Sequence, residues 1–588
     1  MTATTPDAAG ALSAPHWPHC GQGADPVGCR GRRVEPYAEC LAHLSAADRS
    51  AYLAGLHPGA NLDHRGTSFT EHLLCELLAA FHEPATGPTR LGSVWFNEAR
   101  FRGNAWFREA EFSGETKFSE AVFNGKARFG QASFSADVEF DGVKFEDGAD
   151  FEGAEFSGRV WFSGAQFRGG AKFRGANFNR DAYFAVAQFR NGAWFNGAKF
   201  SGDARFEGVE IDHYAGFVGT VLETASTIGP LVSNGELDLS EAVFGAAVTV
   251  EAATASLRCR RTRWLSTAAL RLRYATVDLS DAVVEYPVSI AARSRPFTLY
   301  GAENLPEADL TDPRVRVMSL RGVDAAHLVL TDVDLTETLF AGTIHLDQLQ
   351  LEGLYALAVA PSGLRRRGMR PVRWTPRRTL AEEHHWRAAR FAGAGGWTPA
   401  PEGEEVLEPA ALAPVYRKLR KSFEDNKHEP GAADFYYGEM EMRRHADDIP
   451  RSERMLLTSY WALSGYGLRA SRAIGWLMLA MTLTVLVMML WGLPKDGSKS
   501  LTTGTVDGRR ITMTSDTPDP INPDGSLRDR LSTERFEKSL RVVINSVVFR
   551  ASGQELTTVG TYSEMASRIG EPILLGFAAL AIRGRVKR

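Results

Sequence analysis

Cysteine is scarce in this chain, 5 residues in 588, which excludes a small secreted scaffold held together by disulfides. Neither sign of charge prevails. Lys and Arg number 67 against 71 Asp and Glu, a net of −4, so no general pull toward nucleic acid is expected. A phosphate loop, a nucleophile elbow and a dinucleotide fingerprint are all missing, and no pair of carboxylates stands apart from a repeat surface. These absences predict a protein that is not an enzyme. Residues 1–16 are rich in Ala, Thr, Pro and Gly, with neither a basic start nor an apolar centre. They predict a disordered lead-in and no secretory signal.

What is abundant is phenylalanine, and it is placed by rule. Phe recurs at 96, 101, 107, 112, 118, 123, 129, 134, 140, 145, 151 and 156, and onward without a miss to 206, in alternating steps of five and six. A small residue, most often Ala, sits two positions before each, and Gly commonly follows two positions after, as at Gly153, Gly164 and Gly175. A step near five fits neither a helix of 3.6 nor a strand of 2. A unit this short cannot bury its own ring, so it must stack on copies of itself.

This pattern resembles the pentapeptide-repeat family in its Phe-centred form. The resemblance implies a right-handed quadrilateral β-solenoid with four short faces per coil, the Phe and the small residue both pointing inward. One extra residue in every second face gives a coil of 22 residues, so that Phe96, Phe118, Phe140, Phe162, Phe184 and Phe206 should form one column. At about 4.8 Å per coil, the Phe-rich segment 91–211 is a rod roughly 25 Å long. Some members of the family act as DNA mimics on type II topoisomerases. Here the segment 93–210 carries 17 acidic and 15 basic residues, a net of −2, which is a poor imitation of a duplex. Residues 212–358 read as a less regular continuation, with Leu330, Leu335 and Phe340 holding the five-residue step.

Ahead of the rod, residues 17–90 read as a Cys/His-rich cap. Cys20, Cys29, Cys40 and His43 offer three thiolates and an imidazole, a tetrahedral zinc set; reduced, partly buried cysteines are the alternative. Two short helices follow. Ser45 is placed to cap the first, and Ser68 with Glu71 to form a capping box on the second, with Cys75 on its apolar side. Cys259 has no neighbouring ligand and is given no role.

Beyond residue 358 the composition changes. Residues 359–408 contain a basic run from Arg365 to Arg378 and a Gly/Pro-rich stretch, and read as a linker. Glu382, Glu383, His384 and His385 are adjacent on a helix, and neighbours on a helix face different ways, so a metal site is not expected there. Residues 409–472 read as juxtamembrane helices, with aromatics flanked by Arg in the manner of a headgroup layer. Ile474–Leu493 is an uncharged run with Trp near both ends, within a first crossing at 473–493. Arg469 and Arg472 precede it and Arg583, Arg585, Lys587 and Arg588 close the sequence. The positive-inside pattern therefore predicts two crossings of the inner membrane, with 1–472 and the 583–588 tail in the cytoplasm.

An extracytoplasmic loop at 494–535, a short apolar segment and turn at 536–563 and a marginal second crossing at 564–582 follow the order of a two-helix channel pore. The turn Thr557, Thr558, Val559, Gly560, Thr561, Tyr562 resembles the TVGYG filter of potassium channels, which implies a tetramer around a shared axis. Thr561 and Tyr562 stand where the filter has Tyr and Gly, so strict potassium selectivity is not implied. The expected whole is mainly β: a solenoid with a small N-terminal cap and a C-terminal α-helical membrane hairpin. Its expected role is a binding scaffold or sensor at the bilayer for an unknown protein partner, with a weakly cation-selective channel as the alternative.

Overall fold

The computed structural model describes residues 14–23, 28–82, 87–299, 303–307, 309–367, 370–390, 396–495, 501–508, 510–516, 520–523, 526–548 and 553–586. Most of the expected lead-in and the last two basic residues lie outside them. The chain forms two compact units, 1–406 and 407–588.

The first unit is a parallel β-solenoid of about 12 turns. Two-residue strands end on the Phe or just before it in alternate faces, and the strands pair at a spacing of 22. Ala105, Ala127, Ala149, Ala171, Ala193 and Ala215 are in register, and Phe112, Phe134, Phe156, Phe178 and Phe200 are likewise. The rings stack along each column. Phe151 lies 5.0 Å from Phe129 and 5.0 Å from Phe173, nearly parallel to both, and meets Phe140 and Phe162 edge-on at 5.5 and 5.4 Å. Small residues two before each Phe leave room for the four columns to meet in the core. The five-residue steps turn tightly, with the Phe151 carbonyl accepting from Ala154 N at 3.0 Å across a left-handed Gly153. The six-residue steps turn more widely.

Outward-facing charges pair with the next coil. Arg159 meets Asp137 at 2.8 Å, Arg168 meets Glu146 at 2.8 Å and Lys117 meets Glu139 at 3.0 Å. The near-neutral balance read in the sequence is thus in part local, with these charges answered one coil away. After residue 226 two neighbouring faces merge into longer strands, Thr227–Asp238 and Val248–Arg258. The coil shortens to 20 residues, Val248 pairing with Ala268 and Ala268 with Val288. The solenoid continues through Ala356–Leu357.

The solenoid begins earlier than expected. Leu62–Asp63 and Ser68–Phe69 already pair with the first Phe coil, placing a partial coil inside the segment read as a cap. His64 occupies the Phe96 column there, fully buried and stacked on that ring at 6.3 Å. Helix α1, Ala46–Ala54, is capped by Ser45 as anticipated. Helix α2, Glu71–Ala79, is capped by Thr70 rather than by a Ser68/Glu71 box. Glu71 turns instead to Trp106 Nε1 at 2.9 Å and to the Asn104 amide at 3.2 Å. Cys75 is exposed, not core, because Leu73, Leu74, Leu77 and Leu78 fill the buried face.

The other end of the solenoid is closed by α3, Ala381–Arg390, which lies inside the segment read as linker. A last coil leaves backbone N–H groups without a strand to meet. Glu382 answers two of them, accepting from Phe340 N at 2.6 Å and Ala341 N at 2.9 Å. Glu383 is fully buried between Arg377 and Arg387, at 2.5 and 2.6 Å, and Arg387 is itself boxed by Trp374, Trp386 and Trp397. His384 meets Thr379 Oγ1 at 2.9 Å. Both carboxylates and His384 are thus consumed in sealing the end.

His64 and His384 are each pushed down by burial from 6.5 to about 4. Both are neutral when folded and gain a proton more readily when unfolded. Their contribution is complete above about pH 6.5 and is lost as pH falls toward about 4, at a cost on the order of 3 kcal/mol each. Thermal melts at stepwise lower pH should show this loss, and His64→Phe, which extends the Phe column, should remove its share. An acid slope unchanged in that variant would show that His64 is not buried neutral.

The second unit is helical. Helices α4 (Pro409–Asp425) and α5 (Glu429–His445) pair around buried Glu439, which Arg417 and Arg420 reach at 2.9 and 2.7 Å. Helix α6, Arg451–Ser464, leads to α7, Ala470–Val487, which ends in a turn of π-helix at Met488–Gly492. A hairpin of Leu501–Asp507 and Arg510–Asp516, the short α8 (Leu527–Arg530) and α9 (Thr533–Val547) precede α10, Thr558–Val586. Helices α7 and α10 run antiparallel in contact, Gly492 meeting Gly560 at one end and Thr484 meeting Glu571 further along. Two helical stretches, Ala470–Gly492 and Thr558–Arg583, are long and apolar enough to cross a membrane. The second begins before the crossing read from sequence at 564–582, because its helix starts within the expected turn.

Candidate metal centre

The chain around residues 17–44 folds back on itself in two tight turns. Cys20 N donates to Gly31 O at 2.8 Å, Gly21 N to Cys29 O at 2.9 Å and Cys29 N to Gln22 O at 2.7 Å, which sets Cys20 and Cys29 side by side. A second turn, closed by His43 N on Cys40 O at 2.9 Å, brings Cys40 and His43 to the same point. Gly31 permits the approach, since a Cβ there would lie 2.9 Å from Cys40 Sγ.

The four residues named from sequence are therefore brought together, with all ligand atoms within 4.8 Å of one another. Cys29 Sγ lies 3.7 Å from Cys40 Sγ, and His43 Nδ1 lies 3.4 Å from both Cys20 Sγ and Cys40 Sγ. A tetrahedral ion at the usual bond lengths would separate sulfurs by roughly 3.8 Å and sulfur from nitrogen by roughly 3.6 Å. The cluster could hold a metal ion with little rearrangement. Gly31 N points at Cys29 Sγ at 3.4 Å. The Cys29 thiol is pushed down to about 5, first by its contact with Cys40, whose own thiol is pushed up by that contact and by burial.

This module lies on the first coil. Arg32 N donates to Arg65 O at 2.8 Å, Arg30 pairs with Glu98 at 2.5 Å and Arg32 pairs with Asp63 at 2.9 Å. Trp17 Nε1 donates to Arg30 O at 2.9 Å and its ring lies under Arg65. Among the module's described residues only a few apolar side chains are buried, including Val34, Leu41 and Leu44.

The stacked columns, the 22-residue register and the tight Phe-centred turns are matched by one family. The model of pentapeptide repeats fits in 9 copies, over residues 96–144, 129–177, 162–210 and 173–221. Residues 96–221 are pentapeptide repeats. No curated protein and no solved structure matches the chain. The pentapeptide repeats proper thus begin one partial coil after the solenoid does, and His64 was hidden because α2 and its loop stretch the first column step from 22 to 32 residues.

The other sequence-named group behaves differently. Thr558, Val559, Gly560, Thr561 and Tyr562 form the first turns of α10, not an extended filter. Thr557 caps that helix, its Oγ1 accepting from Gly560 N at 3.2 Å while donating to Trp491 O at 2.6 Å. Thr561 N donates to Thr557 O, so the carbonyl there is bound within the helix and not free to line a pore. Gly560 is required by packing, because any Cβ would strike the Gly492 carbonyl. The arginines ahead of it are placed in the same joint. Arg535 donates to the carbonyls of Met489, Leu493 and Pro494 at 3.0, 2.7 and 3.0 Å, and Arg530 to that of Leu490 at 3.2 Å. Together they satisfy the orphan carbonyls where the first apolar helix ends.

Proposed function

We propose that this protein is a membrane-anchored, non-enzymatic scaffold, in which the pentapeptide-repeat solenoid is presented for a protein partner and the paired apolar helices insert in the bilayer. The observation that carries the reading is the helix pair. Ile474, Met478, Leu479 and Leu483 on α7, and Ile569, Ile573 and Leu580 on α10, are exposed. A soluble hairpin would bury such side chains, and a bilayer covers them. Arg469 and Arg472 before α7 and Arg583 near the end of α10 favour a cytoplasmic solenoid by the positive-inside pattern. The helical start of α10 favours an anchor over a tetrameric pore.

The same reading gives the N-terminal cluster a structural role. Cys20, Cys29, Cys40 and His43 would hold one zinc ion, the metal suited to a closed set of three thiolates and an imidazole. The ion would supply the cohesion that the module's small core lacks.

Membranes from cells making the full-length protein test the anchor. The protein should sediment with them, resist an alkaline carbonate wash and be released by detergent. Leu479→Arg, which sets a charge in the middle of α7 at a cost of about 2.5–3.5 kcal/mol, should weaken that retention. Recovery of the unmodified protein as a soluble species after carbonate would overturn the reading.

A further inference from the structure

The helix pair contains one carboxyl that nothing described so far uses. Glu571 lies within α10 and is 1% exposed. Its Oε1 is 3.1 Å from Thr484 Oγ1 on α7. Its Oε2 is buried, with the Ser567 hydroxyl one turn earlier beside the carboxyl.

No ion pair among the described residues reaches this carboxyl. On its own helix the nearest charged groups are Glu564 and Arg568. On α9, Arg535 is spent on the carbonyls that end α7, and Lys538 pairs with Glu534. Arg472, at the base of α7, donates to the Trp461 carbonyl, and on α6 Tyr460 packs against Phe577.

The Thr484 hydroxyl lies between two oxygens. A hydroxyl has one hydrogen, yet Thr484 Oγ1 lies 3.0 Å from the Ala480 carbonyl and 3.1 Å from Glu571. A carbonyl can only accept. With the Thr484 hydrogen on Ala480, a protonated Glu571 carboxyl supplies the hydrogen between the two side chains. An ionised carboxylate here would have no ion-pair partner among the described residues and only the Thr484 and Ser567 hydroxyls to meet it, which apolar surroundings penalise heavily.

We propose that Glu571 is a proton-binding site of the helix pair, its carboxyl holding a proton that it donates to Thr484, and that release of this proton loosens α7 from α10 at that level. The inference rests on the membrane anchor proposed above. It makes the anchor a proton-responsive element rather than an inert tether.

The test uses the full-length protein in carbonate-washed phospholipid vesicles treated with dicyclohexylcarbodiimide. A protonated carboxyl adds across one C=N bond of the reagent. The carboxyl oxygen bonds to carbon, its proton passes to nitrogen, and the O-acylisourea rearranges to a stable N-acylurea with no leaving group. Peptide mass spectrometry should find about one adduct per chain at Glu571, several-fold less as the medium is made alkaline, and none in Glu571→Gln. A water-soluble carbodiimide should leave Glu571 unmodified. Protein lost from the washed vesicles overturns the anchor, and this site with it. Protein retained with Glu571 unlabelled, labelled equally at all pH values, or labelled by the water-soluble reagent overturns the site alone.

Discussion

Phe151→Asp is expected to abolish the folded rod, and Glu152→Lys to leave it nearly unchanged, although the two positions are adjacent. Phe151 is fully buried and packs against six other rings. Truncation to Ala alone should cost about 3–5 kcal/mol, the usual range for a core Phe. Aspartate adds a charge with no partner in a column made only of rings, which takes the total beyond what a marginally stable protein tolerates. Glu152 is exposed, and a surface change of this kind stays within about 0.5 kcal/mol. A solenoid's stability is close to a sum over neighbouring coils. Limited proteolysis of Phe151→Asp should therefore cut first near residue 151 and spread outward. Equal resistance of the two variants would show that Phe151 does not face inward.

Removing the metal should detach the N-terminal module while sparing the rod. Protein purified without a metal-binding tag should contain about one zinc per chain. Cys40→Ser should lower that content strongly, because Cys40 contacts both Cys29 and His43. Structural zinc contributes about 10–16 kcal/mol of binding energy in small domains, whereas among the module's described residues the buried aliphatic side chains are Val34, Leu41 and Leu44. After chelation, trypsin should cleave at Arg30 and Arg32, both held against the first coil in the intact protein. The fragment beyond residue 91 should survive. Absence of zinc from fresh, reduced protein would dispose of the metal. Zinc present but with chelation leaving the cleavage pattern unchanged would show that the module holds without it.

Phe151 and its column could be read from sequence because the core is written in one residue type at one spacing. Nothing in the fold competes with that signal. The ends could not be read in this way. An end has no repeat to copy, and what it needs is partners for backbone N–H groups, which Glu382 supplies from a helix that in sequence is only an acidic and histidine-bearing stretch. His64 follows the same logic at the other end, set off from the ladder by the insertion of α2. Cys20, Cys29, Cys40 and His43 were legible because few cysteines occur elsewhere, and the turns that gather them are short. Thr557–Tyr562 misled for a physical reason. Its glycine marks a place where a backbone approaches closely, and a filter and a crossed helix pair both need that.

The alternation of five and six gives the rod a reading frame. Register is kept only when whole coils of 22 residues are added or lost, as the pairing of Ala127 with Ala149 and of Ala149 with Ala171 requires. Loss of 22 residues, for instance 128–149, would shorten the rod by one layer of about 4.8 Å and leave every remaining ring over a ring and every outward charge over its usual column. Loss of 11 would also join Phe to Phe in sequence, yet would turn all later coils by half a revolution and carry the faces of one side to the other. Length in this molecule can be adjusted in single layers, and which side a surface residue faces depends on counting them whole.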